Sequence, residues 1–333
     1  MKYCLGFLCA FFVSIIISPI VIKMCKKLKL GQNILHYVET HSDKQGTPTM
    51  GGIIFIFSVI VVGLCFVFEN FLFGAICLAI FLGFGIIGFL DDFIKVKFKR
   101  NLGLRPYQKI LGQTLLALVV GVYVYINPNI PNSIIIPFTN INLNLGYFII
   151  PFIFIVFIAT TNSVNLTDGL DGLAGGVSFI VFLAFGFLSL LQAQTFTAGM
   201  DSEIISQLNI LSILSFVMSG ALLGFLIFNS FPATIFMGDT GSLALGAMLA
   251  TVGVFSGLSL YIIFVGFMYV LSAVSVIIQV LYYKKTKKRV FLMAPLHHHF
   301  EKKGVNETKI VAIYIIITIV LSAVAIMLTM LGR

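Results

Sequence analysis

A series of long apolar runs constrains this chain more than any other feature. A helix that crosses a bilayer needs about 20 mostly apolar residues. The 333 residues are 59% hydrophobic and only 10% charged, which excludes an ordinary soluble fold. We place ten runs near 4–22, 50–68, 71–90, 108–126, 146–163, 173–191, 208–228, 242–257, 259–282 and 309–331. The sequence therefore predicts an all-α polytopic membrane protein with one integral-membrane domain over residues 1–333.

The basic residues predict how the chain is oriented. Alternate threading of the ten runs places these loops on one side: 23–49, 91–109, 164–172, 229–241 and 283–308. Of the 21 Lys and Arg residues, only Lys2 and Arg333 fall on the other side. Lys and Arg mark cytoplasmic loops, so we predict that both termini are extracytoplasmic. The first run has no small-residue cleavage site, and we expect it to be retained as a helix.

The net charge of +9 is concentrated on the predicted cytoplasmic face. Topology and attraction to anionic headgroups explain most of it, and the same field would attract a polyanionic substrate. Nucleic acid is a poor candidate partner, because no basic, aromatic-interleaved soluble domain is present. The five cysteines lack metal or disulfide spacing and are interpreted as buried small hydrophobes.

Acidic residues cluster where topology does not require them. Five of the seven Asp residues lie at the predicted cytoplasmic ends of three helices: Asp91, Asp92, Asp168, Asp171 and Asp239. Asp and Glu contribute little to orientation, so this cluster needs another explanation. In "DDFIK", helical spacing places Lys95 one turn beyond Asp91. An ion-pair stripe at a helix end is the structural alternative.

The segment "NSVNLTDGLDGLAGG" at 162–176 repeats polar residues at every third position. Asn162, Asn165, Asp168 and Asp171 would share one helical face. The glycines among them favour a broken helix that opens into a polar loop. A capped turn between helices is the alternative, although two carboxylates and two amides exceed what a turn requires.

The segment "NSFPATIFMGDTGSLALG" at 229–246 carries Asn229 and Phe236 before a glycine-rich turn. Gly238 and Asp239 lead into a predicted helix, whose N-terminal N–H groups would suit a phosphate. Asp239 would repel that phosphate unless a cation lay between them. We therefore predict magnesium, which is held by one or two carboxylates plus phosphate oxygens. The alternative for Asp239 is an N-cap.

Two further segments carry polar groups. "APLHHHFEKKG" contains His297, His298 and His299, whose imidazoles can donate hydrogen bonds to phosphate or sugar oxygens. A zinc site would need further ligands, and a solvated loop cluster is the remaining alternative. "SDKQGTPTMGG" offers Lys44 and Thr49 to a ligand, or forms a tight turn.

Five motifs in this order resemble one enzyme family over essentially the whole chain. They are "TPTMGG", "DDFIK", "NLTDGLDGLAGG", "MGDTGSLALG" and "APLHHHFEKKG". The chain is similar to the phospho-N-acetylmuramoyl-pentapeptide transferases, a branch of the polyprenyl-phosphate N-acetylhexosamine-1-phosphate transferases. Phe93 stands where Tyr is expected. The triple-His loop resembles the peptidoglycan branch rather than the N-acetylglucosamine branch.

The resemblance implies a magnesium-dependent reaction in the bacterial cytoplasmic membrane. Undecaprenyl phosphate would attack UDP-MurNAc-pentapeptide, giving lipid I and UMP at the cytoplasmic face. The resemblance also implies a homodimer. It places magnesium at Asp239 with Asp92 nearby, and makes Asp91 the base toward the lipid phosphate. It assigns the nucleoside side to Asn165, Asp168, Asp171, Asn229 and Phe236. It assigns anionic, diphosphate and sugar contacts to Lys44, Thr49, Lys95, His297, His298 and His299.

Three alternatives stay open at this point. A polyprenyl-phosphate N-acetylglucosamine-1-phosphate transferase would use UDP-GlcNAc and no peptide. A transporter or ion channel would also carry carboxylates in membrane helices. A two-step route through an aspartyl-phosphate would use Asp91 or Asp239. Because a phosphate monoester has a second pKa of about 6, the lipid phosphate is largely dianionic near neutral pH, and positioning can matter more than a base.

Overall fold

The computed structural model describes residues 1–28, 46–98, 103–139, 141–196 and 202–331. Within these ranges the chain is a helical bundle with one small hairpin. The helices are α1 (Lys2–Lys27), α2 (Gly52–Phe66), α3 (Phe71–Lys97), α4 (Pro106–Ile126), α5 (Ile149–Thr167), α6 (Leu173–Ala193), α7 (Ser202–Asn229), α8 (Gly238–Phe255), α9 (Tyr261–Val265), α10 (Phe267–Thr286), α11 (Leu296–Lys302) and α12 (Glu307–Leu331). Strands β1 (Ser133–Ile135) and β2 (Asn142–Asn144) pair antiparallel, with Ile134 opposite Leu143.

The helices confirm an all-α polytopic membrane protein. Nine helices in the described ranges are long and apolar enough to cross a membrane, and α2 is a shorter apolar helix. Two predicted boundaries are wrong. Helix α8 begins at Gly238 rather than near residue 242, and the ninth run is divided at Gly266 into α9 and α10. Glycine has a poor helix propensity, so a break at that residue costs little.

The most buried helices, α7 and α8, lie at the centre of the bundle. Helices α1 and α6 pack on α7, and α3 and α5 pack on α8. In a membrane such contacts depend on close packing rather than on the hydrophobic effect, so small residues are favoured at them. Helix α1 buries small residues at four-residue spacing, namely Gly6, Ala10, Ser14 and Ser18. This stripe lets α1 approach α7 closely.

The contact between α3 and α8 fixes the end of the bundle that carries Asp91 and Asp92. A Cβ atom added at Gly88 would overlap the carbonyl oxygen of Asp239. Only glycine allows the two backbones to come this close. Because Asp91 and Asp92 follow Gly88 within about one helical turn, the same contact brings them to the start of α8.

The Gly88→Ala variant tests this contact. We expect it to lose about 3 kcal/mol of stability, because the added methyl group meets backbone that has no rotamer to change. The thermal melting temperature of detergent-purified protein measures the loss. The matched control is Gly83→Ala in the same helix, where the new methyl group meets a Leu116 side-chain carbon at 3.2 Å. Equal melting of the two variants would contradict this account.

Candidate functional site

Three carboxylates from two helices meet at one end of the bundle. Asp91 and Asp92 lie near the end of α3 and are each only 3% exposed. Asp239 lies in the first turn of α8. One carboxylate oxygen from each residue lies within 4.8 Å of the others, a group that could hold a metal ion. The structure therefore brings Asp239 to two adjacent aspartates that lie nearly 150 residues earlier in the sequence.

Two lysine side chains reach this carboxylate group. The Lys95 Nζ atom lies 2.6 Å from Asp91 Oδ2 and 2.9 Å from Asp239 Oδ2. The Lys109 Nζ atom, from the first turn of α4, lies 2.8 Å from the same Asp239 oxygen. Sequence reasoning missed Lys109. The position of Lys109 could have indicated its role, because a lysine just inside an apolar helix needs a polar environment or a counter-charge.

Asp92 caps helix α8 from helix α3. Its Oδ2 atom accepts hydrogen bonds from Thr240 N at 2.8 Å and from Thr240 Oγ1 at 2.7 Å, and Oδ1 accepts from Asp239 N at 3.2 Å. The N–H group of Gly238 faces the carboxylate of Asp168. The N–H groups at the start of α8 thus already face carboxylates. The predicted phosphate contact at Gly238 stays a prediction.

The Asp239 carboxylate is fixed on its other side by an amide. Asn165 Nδ2 donates to Asp239 Oδ1 at 2.7 Å and lies 2.8 Å from Ser242 Oγ. Asp91 is fixed similarly, since its Oδ1 atom accepts from Leu104 N at 2.8 Å. Asn165 therefore supports an aspartate, and its predicted nucleoside contact stays a prediction.

The donor set fits a hard cation. Asp91, Asp92 and Asp239 offer carboxylate oxygens, the ligand type that Mg²⁺ and Ca²⁺ prefer. Among the described residues, three carboxylates face two ammonium groups, and a further cation would favour the charged form of the carboxylates. Among the residues that the structure describes, no sulfur ligand belongs to the group. The described residues therefore meet the chemical requirement for an oxygen-ligated divalent metal.

The polar turn between α5 and α6 confirms the predicted broken helix. Helix α5 ends at Thr167 and α6 begins at Leu173. Burial, together with the nearby carboxylates of Asp239 and Asp92, raises the pKa of Asp168 to about 8. Asp171 Oδ2 accepts from Ala233 N at 2.9 Å, and the Asp171 N–H donates to Glu307 Oε1 at 2.7 Å. The turn thus joins α5 and α6 to the 230–236 segment and to α12.

The 230–236 segment is joined in turn to the residues before α2. Asn229 Nδ2 donates to Ile235 O at 3.0 Å. Phe236 N donates to Pro48 O, and Gly51 N donates to Phe236 O, both at 2.8 Å. Thr49 lies within this contact and is buried. Lys44 lies outside the described residues.

The three histidines of α11 have different surroundings. His297 is fully buried, and neither ring nitrogen has a hydrogen-bond partner among the described residues. His298 Nδ1 lies 2.9 Å from Glu301 Oε2. His299 Nδ1 accepts from Leu292 N at 3.1 Å. The His297 ring is enclosed by protein, so substrate contact by these residues stays a prediction.

Helix α11 lies directly against the α5–α6 turn. A Cβ atom at Gly169 would overlap the Nε2 atom of His297 and crowd that of His298. Glycine is therefore required at residue 169 for the imidazoles to come this close. Through this contact the histidine helix is adjacent to Asp168 and hence to the start of α8.

Helix α10 holds the segment before α11 with two side chains that sequence reasoning missed. Gln279 Oε1 accepts from Val290 N at 3.1 Å and from Phe291 N at 2.9 Å, while its Nε2 donates to Phe291 O at 3.0 Å. Ser275 Oγ accepts from Leu296 N at 3.0 Å. A lone glutamine in an apolar helix was the available signal.

Comparison with known proteins identifies the family. A family model described as glycosyl transferase family 4 matches residues 72–257, which is more than half of the chain. A phospho-N-acetylmuramoyl-pentapeptide-transferase signature matches residues 44–56. A phospho-N-acetylmuramoyl-pentapeptide-transferase from Clostridium botulinum is 46% identical over 94% of this chain and 92% of its own length. The chain belongs to the phospho-N-acetylmuramoyl-pentapeptide-transferase family.

Other members of this family give the same result. The Clostridioides difficile protein of that name is 46% identical over 96% of this chain and 95% of its own length. The Thermoanaerobacter pseudethanolicus protein is 45% identical over 96% of both chains. The predicted family is confirmed, and with it a membrane transferase of the phosphoglycosyl type. The alternative N-acetylglucosamine branch and the transporter are not favoured.

The capping contact predicts that Asp92→Asn destabilises the protein. The amide keeps the shape but loses the charge that meets the helix N-terminus, which we expect to cost about 1–2 kcal/mol. Thermal melting of the purified protein measures this. The matched control is Glu69→Gln, which removes an exposed carboxylate that is paired with Lys2 outside the carboxylate group. A melting temperature for Asp92→Asn that equals or exceeds that of the control would contradict the capping role.

The burial of His297 predicts a pH dependence of stability. Burial, with a smaller effect from His298, lowers the pKa of His297 to about 3, whereas the unfolded chain has about 6.5. The unfolded state therefore binds a proton first. The contribution of neutral His297 to the free energy of unfolding is complete above pH 6.5 and is lost as the pH falls toward 3. The loss is about 2 kcal/mol at pH 5.

Melting temperatures at pH 7.5 and pH 5.0 check this expectation. His297→Gln should lose less stability than wild type between the two values, because it has no proton to bind. The control is His299→Gln, whose ring is much less buried. If wild type and His297→Gln lose stability equally, His297 is not held neutral in the fold.

Proposed function

We propose that this protein transfers phospho-MurNAc-pentapeptide from UDP-MurNAc-pentapeptide to undecaprenyl phosphate, giving lipid I and UMP. The observation that carries the proposal is the group of three aspartates and two lysines at one end of a membrane-crossing bundle. A lipid phosphate at the bilayer edge and a soluble diphosphate could meet there. The basic loops at this end support a cytoplasmic site in the bacterial inner membrane.

Both substrates are anions, so the site must neutralise charge before they can react. Lys95 and Lys109 contact the diphosphate in our proposal, and they leave the carboxylates when it binds. Asp239, with Asp92 and Asp91 beside it, would hold Mg²⁺. When bound, this ion supplies Lewis-acid polarisation of phosphoryl oxygens. Asn165 would hold the Asp239 carboxylate in position for this ion through its 2.7 Å hydrogen bond.

Asp91 acts as a positioning residue in this proposal. Its two oxygens are engaged by Leu104 N and by Lys95 Nζ. The lipid phosphate is largely dianionic near neutral pH, so attack does not require Asp91 to take a proton. Positioning and charge neutralisation carry most of the catalysis in phosphoryl transfer.

The polar segments beside the carboxylates form the remaining part of the proposed site. Phe236 would stack on uracil, and the turn that contains Asp168 and Asp171 would line the nucleoside. Asn229 shapes this wall through its bond to Ile235 O. We assign the sugar and diphosphate contacts to His298 and His299, with Thr49 and Lys44 as further anionic contacts. From the resemblance we also propose a homodimer, which light scattering in detergent would measure.

The principal experiment measures UMP release by detergent-purified protein from UDP-MurNAc-pentapeptide and undecaprenyl phosphate. We expect release that requires Mg²⁺ and that falls at least about 100-fold in Asp239→Asn, because a carboxylate ligand is lost. The matched control is Glu69→Gln, which removes a carboxylate paired with Lys2 at 2.7 Å, outside the carboxylate group.

Three results would contradict the proposal. UMP released only from UDP-GlcNAc would identify the N-acetylglucosamine branch. Release that is unchanged after removal of divalent metal would exclude the metal role. Uptake of a solute into sealed vesicles without any UMP release would identify a transporter.

A further inference from the structure

A pocket of about 930 Å³ lies beside the histidine helix and outside the carboxylate group. The last turns of α10 form one wall, through Val276, Gln279, Val280 and Tyr283. The opposite wall is formed by residues 292–294 of the segment that precedes α11. This volume is typical of sites that bind small ligands. None of these residues has a role in the carboxylate site.

The pocket is held open by specific hydrogen bonds. The three bonds between Gln279 and residues 290–291 join the two walls. Arg289 Nη1 donates to Leu292 O at 3.3 Å, and Ser275 fixes Leu296 N. A site whose walls are joined before binding loses less entropy when a ligand enters. The pocket is therefore a preorganised feature.

The lining combines apolar side chains with three cations. Lys284, Arg289 and Lys302 lie at the pocket, and no Asp or Glu is among the lining residues that belong to the described part of the chain. The nearby Glu301 faces His298 at 2.9 Å. Such a lining is complementary to a ligand with small apolar groups and negative charge. A free peptide fits this description whatever its sequence, because its C-terminal carboxylate has a pKa of about 3.3–3.7.

The pocket is close enough to the carboxylate group to bind another part of the same substrate. Lys302 lies one helical turn beyond His298 on α11. At its other end, α11 contacts Gly169, next to Asp168. The seven residues of α11 are about 10 Å long, whereas an extended pentapeptide spans up to about 17 Å. A pentapeptide attached to a sugar near His298 would therefore reach the pocket.

We propose that this pocket binds the peptide arm of the sugar nucleotide, and that Lys284, Arg289 and Lys302 recognise its carboxylates. The inference rests on the proposed function and specifies which part of the chain distinguishes a peptide-bearing substrate from UDP-GlcNAc. An anionic lipid headgroup is the competing occupant. The contact of α11 with Gly169, next to Asp168, favours the peptide, because a single sugar nucleotide can then occupy the carboxylate group and the pocket together.

The test compares two triple variants of equal charge. The pocket variant is Lys284→Gln, Arg289→Gln and Lys302→Gln. The matched control is Lys285→Gln, Lys287→Gln and Lys288→Gln, which lie in the same basic segment but not among the lining residues. UMP release is measured with UDP-MurNAc-pentapeptide and with peptide-free UDP-MurNAc. For each nucleotide, the KM of each variant is compared with that of wild type. If a nucleotide does not turn over, its inhibition constant is compared instead.

We expect the pocket variant to raise the KM for UDP-MurNAc-pentapeptide about 10-fold or more, since several charge contacts are lost together. The KM or inhibition constant for peptide-free UDP-MurNAc should change less than about 2-fold, and so should the KM for undecaprenyl phosphate. The control variant should behave as wild type. The single variant Lys302→Glu, at an exposed residue, should show the same selective effect if the triple variant does not fold.

Three outcomes overturn the inference in different ways. If the pocket variant loses affinity equally for both nucleotides, the pocket does not bind the peptide. The pocket variant is also measured in phosphatidylcholine vesicles with increasing fractions of phosphatidylglycerol. If its loss of affinity depends on that fraction for either nucleotide, the pocket binds a lipid headgroup. Wild type that releases no UMP from either nucleotide rejects the proposed function itself, whereas an active wild type with an unselective pocket variant rejects only the peptide pocket.

Discussion

The hydrogen bonds from the start of α8 to Asp92 are the contact on which the rest of the site depends. A carboxylate near the end of α3 accepts the free N–H groups of α8, which satisfies backbone donors that a membrane protein cannot leave exposed to lipid. Gly88 makes this possible by removing the side chain that would separate the two helices. Asp91 and Asp239 are then brought together as a consequence. The cluster is therefore a product of helix packing and capping as well as of charge.

Burial of several charges at the bundle edge is costly unless they are paired. In the described structure Lys95 and Lys109 neutralise Asp239, and backbone N–H groups satisfy Asp92 and Asp91. In the proposed function these partners are exchanged: a divalent cation would take the carboxylates, and the released ammonium groups would take phosphate oxygens. The same residues would thus stabilise the fold and supply both signs of charge that a phosphoryl transfer requires.

The sequence was sufficient for the membrane class, the broken helix at Asp168 and the ion pair between Asp91 and Lys95. Each of these follows from local period and composition. The sequence alone could not show which of Asp91 and Asp92 caps α8. That choice depends on how closely α3 approaches α8. Lys109 was missed for the same reason, since its partner Asp239 is 130 residues away, whereas Gln279 was missed although its partners lie 11 and 12 residues further along the chain. The enclosed ring of His297 depends on how α11 sits on Gly169, which no spacing reveals.

The two halves of the site are held by different forces. The carboxylate half depends on α8, in which 89% of the most apolar stretch is buried, whereas the histidine half depends on α10, in which only 22% is buried. Gln279 and Ser275 therefore replace, with hydrogen bonds, the packing that α10 lacks. Regions held by few buried apolar contacts open at lower free energy than the core. The aspartates are thus fixed by helix packing and the histidine helix by hydrogen bonds to α10, and this division suits an enzyme whose two substrates arrive from different phases.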